Sequence, residues 1–301
     1  MTTSNPFGRR STADQVLAGI DLTGKRIIVT GCNSGLGLAT MNAFAANGAS
    51  VIGLARTLEA ASRACAQAGP ACFPVACDLT DLDSIAAALR AIRALSVPLD
   101  AIVANAGVAN LPSLQTRYGI ELQFLTNHLG HFMLVNGLTD LVRDGSGRIV
   151  IVSSSASISR APSEGIMFDN LDGQRFYQPT TFYAQSKLAN ALYAKELSRR
   201  LNNRGIAVNS VDPGVARTRL TRGFAARLFA KTAPQAAATQ ALLAASPQAA
   251  GTTGEYWQNC KISKGNALLD DTALTGRLWD FSLKSLERQQ PLLDQSLQQA
   301  A

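Results

Sequence analysis

The sequence contains little cysteine, few aromatic residues and no long apolar run. Its five cysteines are odd in number and include no Cys-x-x-Cys pair, which argues against a disulfide framework and against a metal site. Such a chain suits a reducing, cytoplasmic setting. Because no stretch of about 18 consecutive apolar residues occurs, we expect no integral membrane segment. The polar N-terminus, residues 1–10, also lacks the apolar core of a secretory signal.

Acidic residues are outnumbered by basic ones, 21 against 28, which gives a formal net charge of +7. A positive field can attract an anionic cofactor, or it can bind nucleic acid or another anionic surface. The basic residues are spread along the chain and few aromatic residues interleave with them, which favours the first explanation. We therefore expect a small-molecule partner and no nucleic acid.

Short apolar segments alternate with helical patterns along most of the chain. Strands are predicted at residues 25–30, 49–55, 71–76, 99–104, 148–152 and 206–211, with a late strand near 255–257. Helices are predicted at residues 38–47, 59–68, 81–95, 119–142 and 181–202. This alternation predicts an α/β fold with one doubly wound parallel sheet, the Rossmann fold, in a single domain. We assign residues 1–23 to an N-terminal extension, 24–285 to the domain and 286–301 to a C-terminal tail.

A glycine-rich loop, Thr30-Gly-Cys-Asn-Ser-Gly-Leu-Gly37, joins the first strand to the first helix of that domain. Glycines let the backbone turn sharply and approach a pyrophosphate, and the helix N-terminus offers it free N–H groups. A tight turn without a ligand would look similar, but the position in the first βαβ unit favours dinucleotide binding. The predicted contacts are Gly31, Asn33, Ser34, Gly35, Leu36 and Gly37.

The residue at the end of the second strand indicates which dinucleotide is bound. An acidic residue there would hold the ribose 2′-hydroxyl of NAD(H). The sequence instead has Arg56, whose guanidinium is well shaped to pair with a 2′-phosphate. We therefore predict NADP(H) rather than NAD(H); the alternative is that Arg56 is a solvated surface charge.

Tyr183 and Lys187 stand four residues apart in a predicted helix, so their side chains share one face. A free phenol has a pKa of about 10 and exchanges protons poorly at neutral pH. A fixed positive charge nearby favours the phenolate and moves that pKa toward working pH. The pair predicts an acid/base device, although most Tyr-x-x-x-Lys pairs are ordinary helix surface and the surrounding motifs must decide.

Taken together, these motifs resemble those of the short-chain dehydrogenase/reductase family over most of the chain. They occur in the family's order: Thr-Gly-x-x-x-Gly-x-Gly at 30–37, Asp78-Leu79, Asn105-Ala-Gly107, Asn127, Ser153-Ser154, Tyr183-x-x-x-Lys187, and Pro213-Gly214 with Thr218. Asn127-His-Leu-Gly-His-Phe132 and Ser186-Lys-Leu-Ala-Asn190 are similar to the branch of retinol dehydrogenases and WW-domain oxidoreductases. Ala104 departs from the family pattern, which has Asn there.

The resemblance implies a role for each matched residue. Ser154 would bind the substrate oxygen, Tyr183 would pass the proton, and Lys187 would hold the nicotinamide ribose and lower the tyrosine pKa. Asn127 would hold a water in the proton relay. The remaining implied cofactor contacts are Asp78, Leu79, Asn105, Ala106, Gly107, Pro213, Gly214, Val215 and Thr218, together with Tyr183 and Lys187.

The implied activity is reversible hydride transfer between NADP(H) and a carbonyl or alcohol carbon. Predicted pocket walls at residues 109–116, 158–178 and 216–234 indicate a lipophilic substrate; they include Leu111, Leu114, Ile166, Phe168, Phe176 and Phe224. A non-enzymatic NADP(H)-sensing or scaffold protein is the alternative. The basic, amphipathic segment 216–234 matches the family's substrate lid, and binding to a membrane surface is its alternative. The substrate, the direction of the reaction and homo-oligomerisation stay open.

Overall fold

The computed structural model describes residues 5–216 and 230–288 of the chain. In chain order the strands are β1 Arg26–Thr30, β2 Ser50–Ala55, β3 Cys72–Ala76, β4 Ala101–Ala104, β5 Thr116–Arg117, β6 Ile120–Glu121, β7 Arg148–Val152, β8 Ala207–Asp212, β9 Tyr256–Gln258 and β10 Lys261–Ile262. The main sheet has the order β10-β9-β8-β7-β4-β1-β2-β3, while β5 and β6 form a separate hairpin. Every pair in the main sheet is parallel except β9 with β10.

Helices cover both faces of this sheet. They are α1 Ala13–Leu17, α2 Gly35–Ala46, α3 Leu58–Ala68, α4 Leu82–Ala94, α5 Leu122–Phe124, α6 Gly130–Asn136, α7 Ala156–Ser159, α8 Pro179–Arg200, α9 Ala233–Ala245 and α10 Thr272–Glu287. One apolar cluster joins the sheet to α2, α3 and α9, and a second joins it to α4, α6 and α8. The predicted doubly wound fold is confirmed, and each predicted strand agrees with the observed one to within two residues.

The connection order places a crevice at the carboxyl ends of the strands. β1 is flanked by β2 on one side and by β4 on the other, so the chain leaves β1 and β4 toward opposite faces of the sheet. Ligands of open α/β sheets bind in the crevice that forms at such a switch point. The glycine loop after β1 and the Asn105 motif after β4 therefore lie at this crevice.

The predicted helix at residues 119–142 is wrong in its limits and in its regularity. Tyr118 and Gly119 both have positive φ, so they form the turn of the β5–β6 hairpin. Helix begins only at Leu122, where the Glu121 carboxylate caps it by accepting hydrogen bonds from the N–H groups of Gln123 and Phe124. A π-helical segment, Leu125–Leu129, separates α5 from α6, and the helix ends at Asn136.

The N-terminal extension contains a helix that the sequence pattern did not predict. Thr12 and Gln15 form a capping box at the start of α1. Val16 and Leu17 are buried, and α1 packs against α2 and α9. At the other end of the domain α10 packs against α8 and runs to Glu287, past the predicted boundary at residue 285. Residues 289–301 of the predicted tail lie outside the described residues.

Two further predictions concern thiols and membranes. All five cysteines are free and buried, and the described residues contain no group of three or more His, Cys, Asp or Glu side chains suited to hold a metal ion. Within residues 5–216 and 230–288, no helix combines the length and the apolar character that crossing a bilayer requires.

Candidate active site

A cleft of about 1790 Å³ runs along the carboxyl ends of the strands. It extends from Arg56 at the end of β2 to Tyr183 on α8, and the turn at Pro213 and Gly214 after β8 closes that far end. The volume exceeds the roughly 300–1,000 Å³ of a typical small-ligand pocket, so the cleft can hold a dinucleotide and a second molecule. Its lining includes nearly all the predicted cofactor contacts, namely Gly31, Asn33, Ser34, Gly35, Leu36, Arg56, Asp78, Leu79, Asn105, Ala106, Gly107, Tyr183, Lys187, Pro213, Gly214 and Val215.

The glycine loop brings the start of α2 up to the cleft. A Cβ added at Gly37 would lie 2.2 Å from the Gly31 carbonyl oxygen, so only glycine allows α2 to pack this closely on the end of β1. Ser34 precedes the helix and makes no side-chain capping bond. The first N–H groups of α2 therefore remain available, with the positive end of the helix dipole, to an anionic group in the cleft.

The outer end of the cleft combines a cation with hydroxyl and carboxylate groups. Arg56 is exposed and lines the cleft beside Thr57, which caps α3 by accepting a hydrogen bond from the N–H of Ala60. Across from them, Asp78 Oδ1 accepts hydrogen bonds from both the N–H and the hydroxyl of Thr80, at 2.9 and 2.8 Å. These bonds fix the Asp78 carboxylate at the wall of the cleft.

Thr30 holds the two sides of the switch point together. Its hydroxyl accepts hydrogen bonds from the backbone N–H groups of Asn105 and Ala106, each at 2.9 Å, and the Asn105 amide donates to the Thr30 carbonyl at 2.8 Å. Gln240 on α9 donates to Asn105 Oδ1 at 3.2 Å. The sequence pattern gave no indication of Gln240, because nothing local in α9 shows that this helix reaches β4.

Tyr183 and Ser154 meet at the inner end of the cleft. Ser154 follows β7 and Tyr183 lies in the second turn of α8, and both line the cleft. Burial raises the pKa of Tyr183 above its ordinary value; the neighbouring Ser154 hydroxyl opposes this rise, and the charge of Asp212 adds to it. The expected lowering of the tyrosine pKa is therefore absent in this structure, because desolvation outweighs the hydrogen bond with Ser154.

Lys187 lies one turn along α8, with its ammonium buried. The Nζ donates to the Val152 carbonyl at 3.1 Å, and it would lie 3.3 Å from a Cβ added at Gly107. Burial lowers the pKa of Lys187 from 10.5 to about 8. A side chain at position 107 would crowd the amine, and the amine is only partly charged near pH 8.

Asn127 lies in the π-helical segment and connects three parts of the site. Its Oδ1 accepts from the N–H of Val108 at 2.8 Å, and its amide donates to the Val108 carbonyl and to the Ser186 hydroxyl, each at 2.9 Å. Ser186 in turn donates to the Tyr183 carbonyl at 2.7 Å. Asn127 is fully buried and lies behind the cleft wall rather than in it. A π-helical turn often marks a functional position in a helix.

The three consecutive serines after β7 have different surroundings. Ser153 is buried, and its hydroxyl donates to the Lys187 carbonyl at 2.6 Å, which ties the end of β7 to α8. Ser154 is the serine beside the Tyr183 phenol. Ser155 lines the cleft at the start of α7. The geometry therefore favours Ser154 over its neighbours for the role that the resemblance implies.

The remaining predicted residues are placed as follows. Thr218 and Phe224 lie outside the described residues, as do residues 217–229 of the predicted lid. Ile166 is buried in the apolar cluster against α8, and Phe168 packs on Phe281 of α10. Residues that line the cleft without having been predicted to do so include Asp14, Leu38, Ala39, Asn42 and Thr57, whereas Ala233 and Pro234 lie in the predicted wall at 216–234. Asp14 belongs to α1, whose position depends on long-range packing.

Several known proteins are similar to this chain in sequence. The family model described as short chain dehydrogenase matches residues 25–166. The short-chain dehydrogenase TIC 32 B, chloroplastic, of Brassica napus is 37% identical over 93% of this chain and 94% of its own length. Two proteins of Homo sapiens are also similar. WW domain-containing oxidoreductase is 36% identical over 95% of this chain and 74% of its own length, and retinol dehydrogenase 14 is 35% identical over 86% and 85%.

A solved structure shows the same architecture. A short chain dehydrogenase from Burkholderia cenocepacia, in complex with NADP, superimposes with a TM-score of 0.65 over 79% of this chain and 97% of that one, at 25% identity. The chain therefore belongs to the short-chain dehydrogenase/reductase family, in the branch of retinol dehydrogenases and WW domain-containing oxidoreductases.

Proposed function

We propose that this oxidoreductase uses NADP(H) to interconvert a carbonyl and an alcohol on a lipophilic small molecule, with Tyr183 as acid and base. The observation that carries the proposal is the convergence of Ser154, Tyr183 and Lys187 at one end of a cleft whose other wall is the glycine loop. Elements far apart in sequence supply these groups, and their meeting in one concave site fits a reaction centre.

The chain's own groups fit such a cofactor. The first amides of α2 and its dipole suit a pyrophosphate, and Lys187 suits ribose hydroxyls. Arg56 makes no ion pair with a carboxylate among the described residues, so its guanidinium is available to a 2′-phosphate. The Burkholderia cenocepacia relative in complex with NADP adds support for this choice.

When bound, NADP(H) supplies the hydride acceptor or donor, and the protein supplies placement and charge. In the direction of reduction, the Ser154 and Tyr183 hydroxyls donate hydrogen bonds to the substrate oxygen as it gains negative charge. Tyr183 then transfers its phenolic proton to that oxygen. Lys187 favours the resulting phenolate through its charge, and Asn127 holds the backbone of residue 108 that borders the same space.

The substrate end of the cleft supports a lipophilic molecule. Val108, Ala109, Val215 and Ala216 line the cleft together with Tyr183, and Val215 is exposed. Among the described residues, the polar groups at this end, apart from Ser154 and Tyr183, include Asn110, Thr126, Ser153 and Ser155. We also propose a cytoplasmic setting, because all five thiols are free and buried; the word chloroplastic belongs to the Brassica napus relative.

The first prediction is that Tyr183→Phe abolishes turnover and leaves NADPH affinity within about twofold, since only the proton donor is lost. Turnover is measured at the nicotinamide absorbance across a panel of ketones and aldehydes with NADPH and NADH, and affinity by calorimetry. Tyr193→Phe is the matched control. It removes the same atom from the same helix, at a buried hydroxyl that bonds no described residue. An active Tyr183→Phe enzyme would refute the assigned role, and a wild-type protein inactive on the whole panel would favour the sensing or scaffold alternative.

A further inference from the structure

Asp212, the last residue of β8, carries a buried carboxylate that the proposed mechanism does not use. Asp212 is only 1% exposed. Oδ1 accepts a hydrogen bond from the Gly214 N–H at 2.9 Å, and Oδ2 accepts one from the Gln258 side-chain amide at 2.5 Å. Both donors are neutral, and among the described residues no cation lies within ion-pair distance. The two hydrogen bonds therefore hold the negative charge in place, and no described cation pairs with it.

The strand geometry directs this carboxylate to the same face of the sheet as Tyr183. Side chains alternate along a strand, so Asp212 shares a face with Val208 and opposes Val211. Val208 belongs to the apolar cluster with α8, whereas Val211 belongs to the cluster with α9. Asp212 therefore lies on the α8 side, directly behind the turn of Pro213 and Gly214 that lines the cleft.

The neighbouring titratable groups respond to this charge. Burial is the largest cause of the raised pKa of Tyr256, and the charge of Asp212 is the next. The same charge also contributes to the raised pKa of Tyr183. Both phenols therefore lie within electrostatic reach of Asp212. The carboxylate favours a positive or protonated group at this end of the cleft.

A buried cation, Lys231, packs against the same turn. A Cβ added at Gly214 would lie 3.2 Å from Cε and 3.4 Å from Nζ of Lys231. Burial lowers the pKa of Lys231; the Asp212 charge and the Cys260 thiol oppose that fall, and the charge of Arg9 adds to it. The turn that closes the cleft thus has one buried anion and one buried cation beside it.

We propose that the charge of the Asp212 carboxylate sets the preference of the site for the oxidised over the reduced cofactor. The inference rests on the proposed function and takes the nicotinamide ring to lie beside Tyr183, at the end of the cleft that this turn closes. The oxidised ring carries a positive charge and the reduced ring carries none, while the phosphates are the same in both forms. A fixed negative charge in a low-dielectric site stabilises only the cationic ring. The positive charge of Lys231, beside the same turn, acts in the opposite sense.

The test is Asp212→Asn, with the dissociation constants of NADP⁺ and NADPH measured by calorimetry. Asparagine keeps an oxygen for the Gly214 N–H, and a flip of the Gln258 amide restores the second hydrogen bond. We expect the ratio of the NADP⁺ to the NADPH dissociation constant to rise on the order of tenfold, which corresponds to about 1.4 kcal/mol. A purely structural role would weaken both forms alike and leave the ratio unchanged.

Two further variants make the result decisive. Lys231→Met should move the ratio in the opposite direction, and it carries the test alone if Asp212→Asn fails to fold. Asp280→Asn removes the same charge from the exposed surface of α10 and should leave the ratio unchanged. If Asp212→Asn folds and its ratio of the NADP⁺ to the NADPH dissociation constant is unchanged, this inference is wrong but the proposed function stands. The same holds for Lys231→Met if it is the variant that folds. A wild-type protein that binds neither dinucleotide overturns both.

Discussion

Lys187 illustrates at the scale of one residue how the site conflicts with stability. Its amine is buried, and its folded-state pKa of about 8 lies below the ordinary 10.5. Between these two pH values the unfolded chain binds a proton that the folded chain does not. Stability therefore rises with pH across that window, and the full cost of burying the charge is present below pH 8.

We accordingly expect Lys187→Met to abolish turnover and yet to stabilise the cofactor-free protein at pH 7 by roughly 1–3 kcal/mol. The Val152 carbonyl keeps a donor, because Asn190 also bonds it at 2.9 Å. Urea unfolding at pH 7 and at pH 9.5 measures the effect, and the gain should shrink at the higher pH as the wild-type amine loses its proton. Lys284→Met, on the exposed side of α10, is the control and should change stability by less than about 0.5 kcal/mol. A destabilised Lys187→Met protein would contradict this account.

At the scale of elements, α1 shows how a segment outside the predicted domain becomes part of the site. Its apolar residues pack between α2 and α9, which places Asp14 at the wall of the cleft. The segment before it is also fixed, since the Asn5 amide donates to the Cys260 carbonyl at 2.5 Å and Gln235 donates to the Arg10 carbonyl at 3.3 Å. We infer that α1 contributes to the stability of the domain.

Leu17→Ala tests that inference. Leu17 is 0% exposed, so its truncation should leave a cavity and lower the free energy of unfolding by about 2–4 kcal/mol. Leu58→Ala is the matched control, because Leu58 begins α3 and is 56% exposed. Its truncation should change the free energy by less than about 1 kcal/mol. Equal effects of the two substitutions in urea unfolding would show that α1 is only loosely attached.

At the scale of the whole molecule, both histidines are buried. His128 lies in the π-helical segment that contains Asn127, and His131 lies in α6, which follows it. Burial lowers the pKa of His128 to about 3 and that of His131 to about 4. His131 bonds the Asn127 carbonyl and the Thr30 hydroxyl, each at 2.9 Å, while His128 bonds Ser282 of α10 at 2.8 Å. These neutral rings therefore connect the helical stretch around Asn127 to α10 on one side and to β1 on the other.

Acid should destabilise the protein through these rings. Below the ordinary pKa of 6.5 the two histidines of the unfolded chain bind protons, whereas those of the folded chain do not. Stability therefore falls as the pH falls from 6.5 toward 4. Each histidine contributes at most about 1.4 kcal/mol per pH unit. His128→Gln should remove its share, and the difference from wild type in urea unfolding at pH 7, 6 and 5 isolates it from the carboxylates. Parallel pH profiles for the two proteins would contradict the assignment.

Local chemistry made much of this protein predictable from its sequence. Apolar β-branched runs such as Arg148 to Val152 indicate strands because few other structures accept them, and the glycine loop is recognisable because its glycines must lie between a strand and a helix. The i, i+4 spacing of Tyr183 and Lys187 is sufficient to predict that their side chains share one helix face. The order of these elements was enough to predict the doubly wound sheet.

Tertiary structure alone decided what those elements bring together. The strand order places residues 31, 105, 154, 183 and 213 around one cleft, although no local pattern specifies which strands become neighbours. No local pattern indicates the π-helical segment at Asn127 or the buried charges of Asp212 and Lys231 either. Burial and electrostatic neighbours arise from packing between distant segments, whereas a sequence window reports only periodicity and spacing.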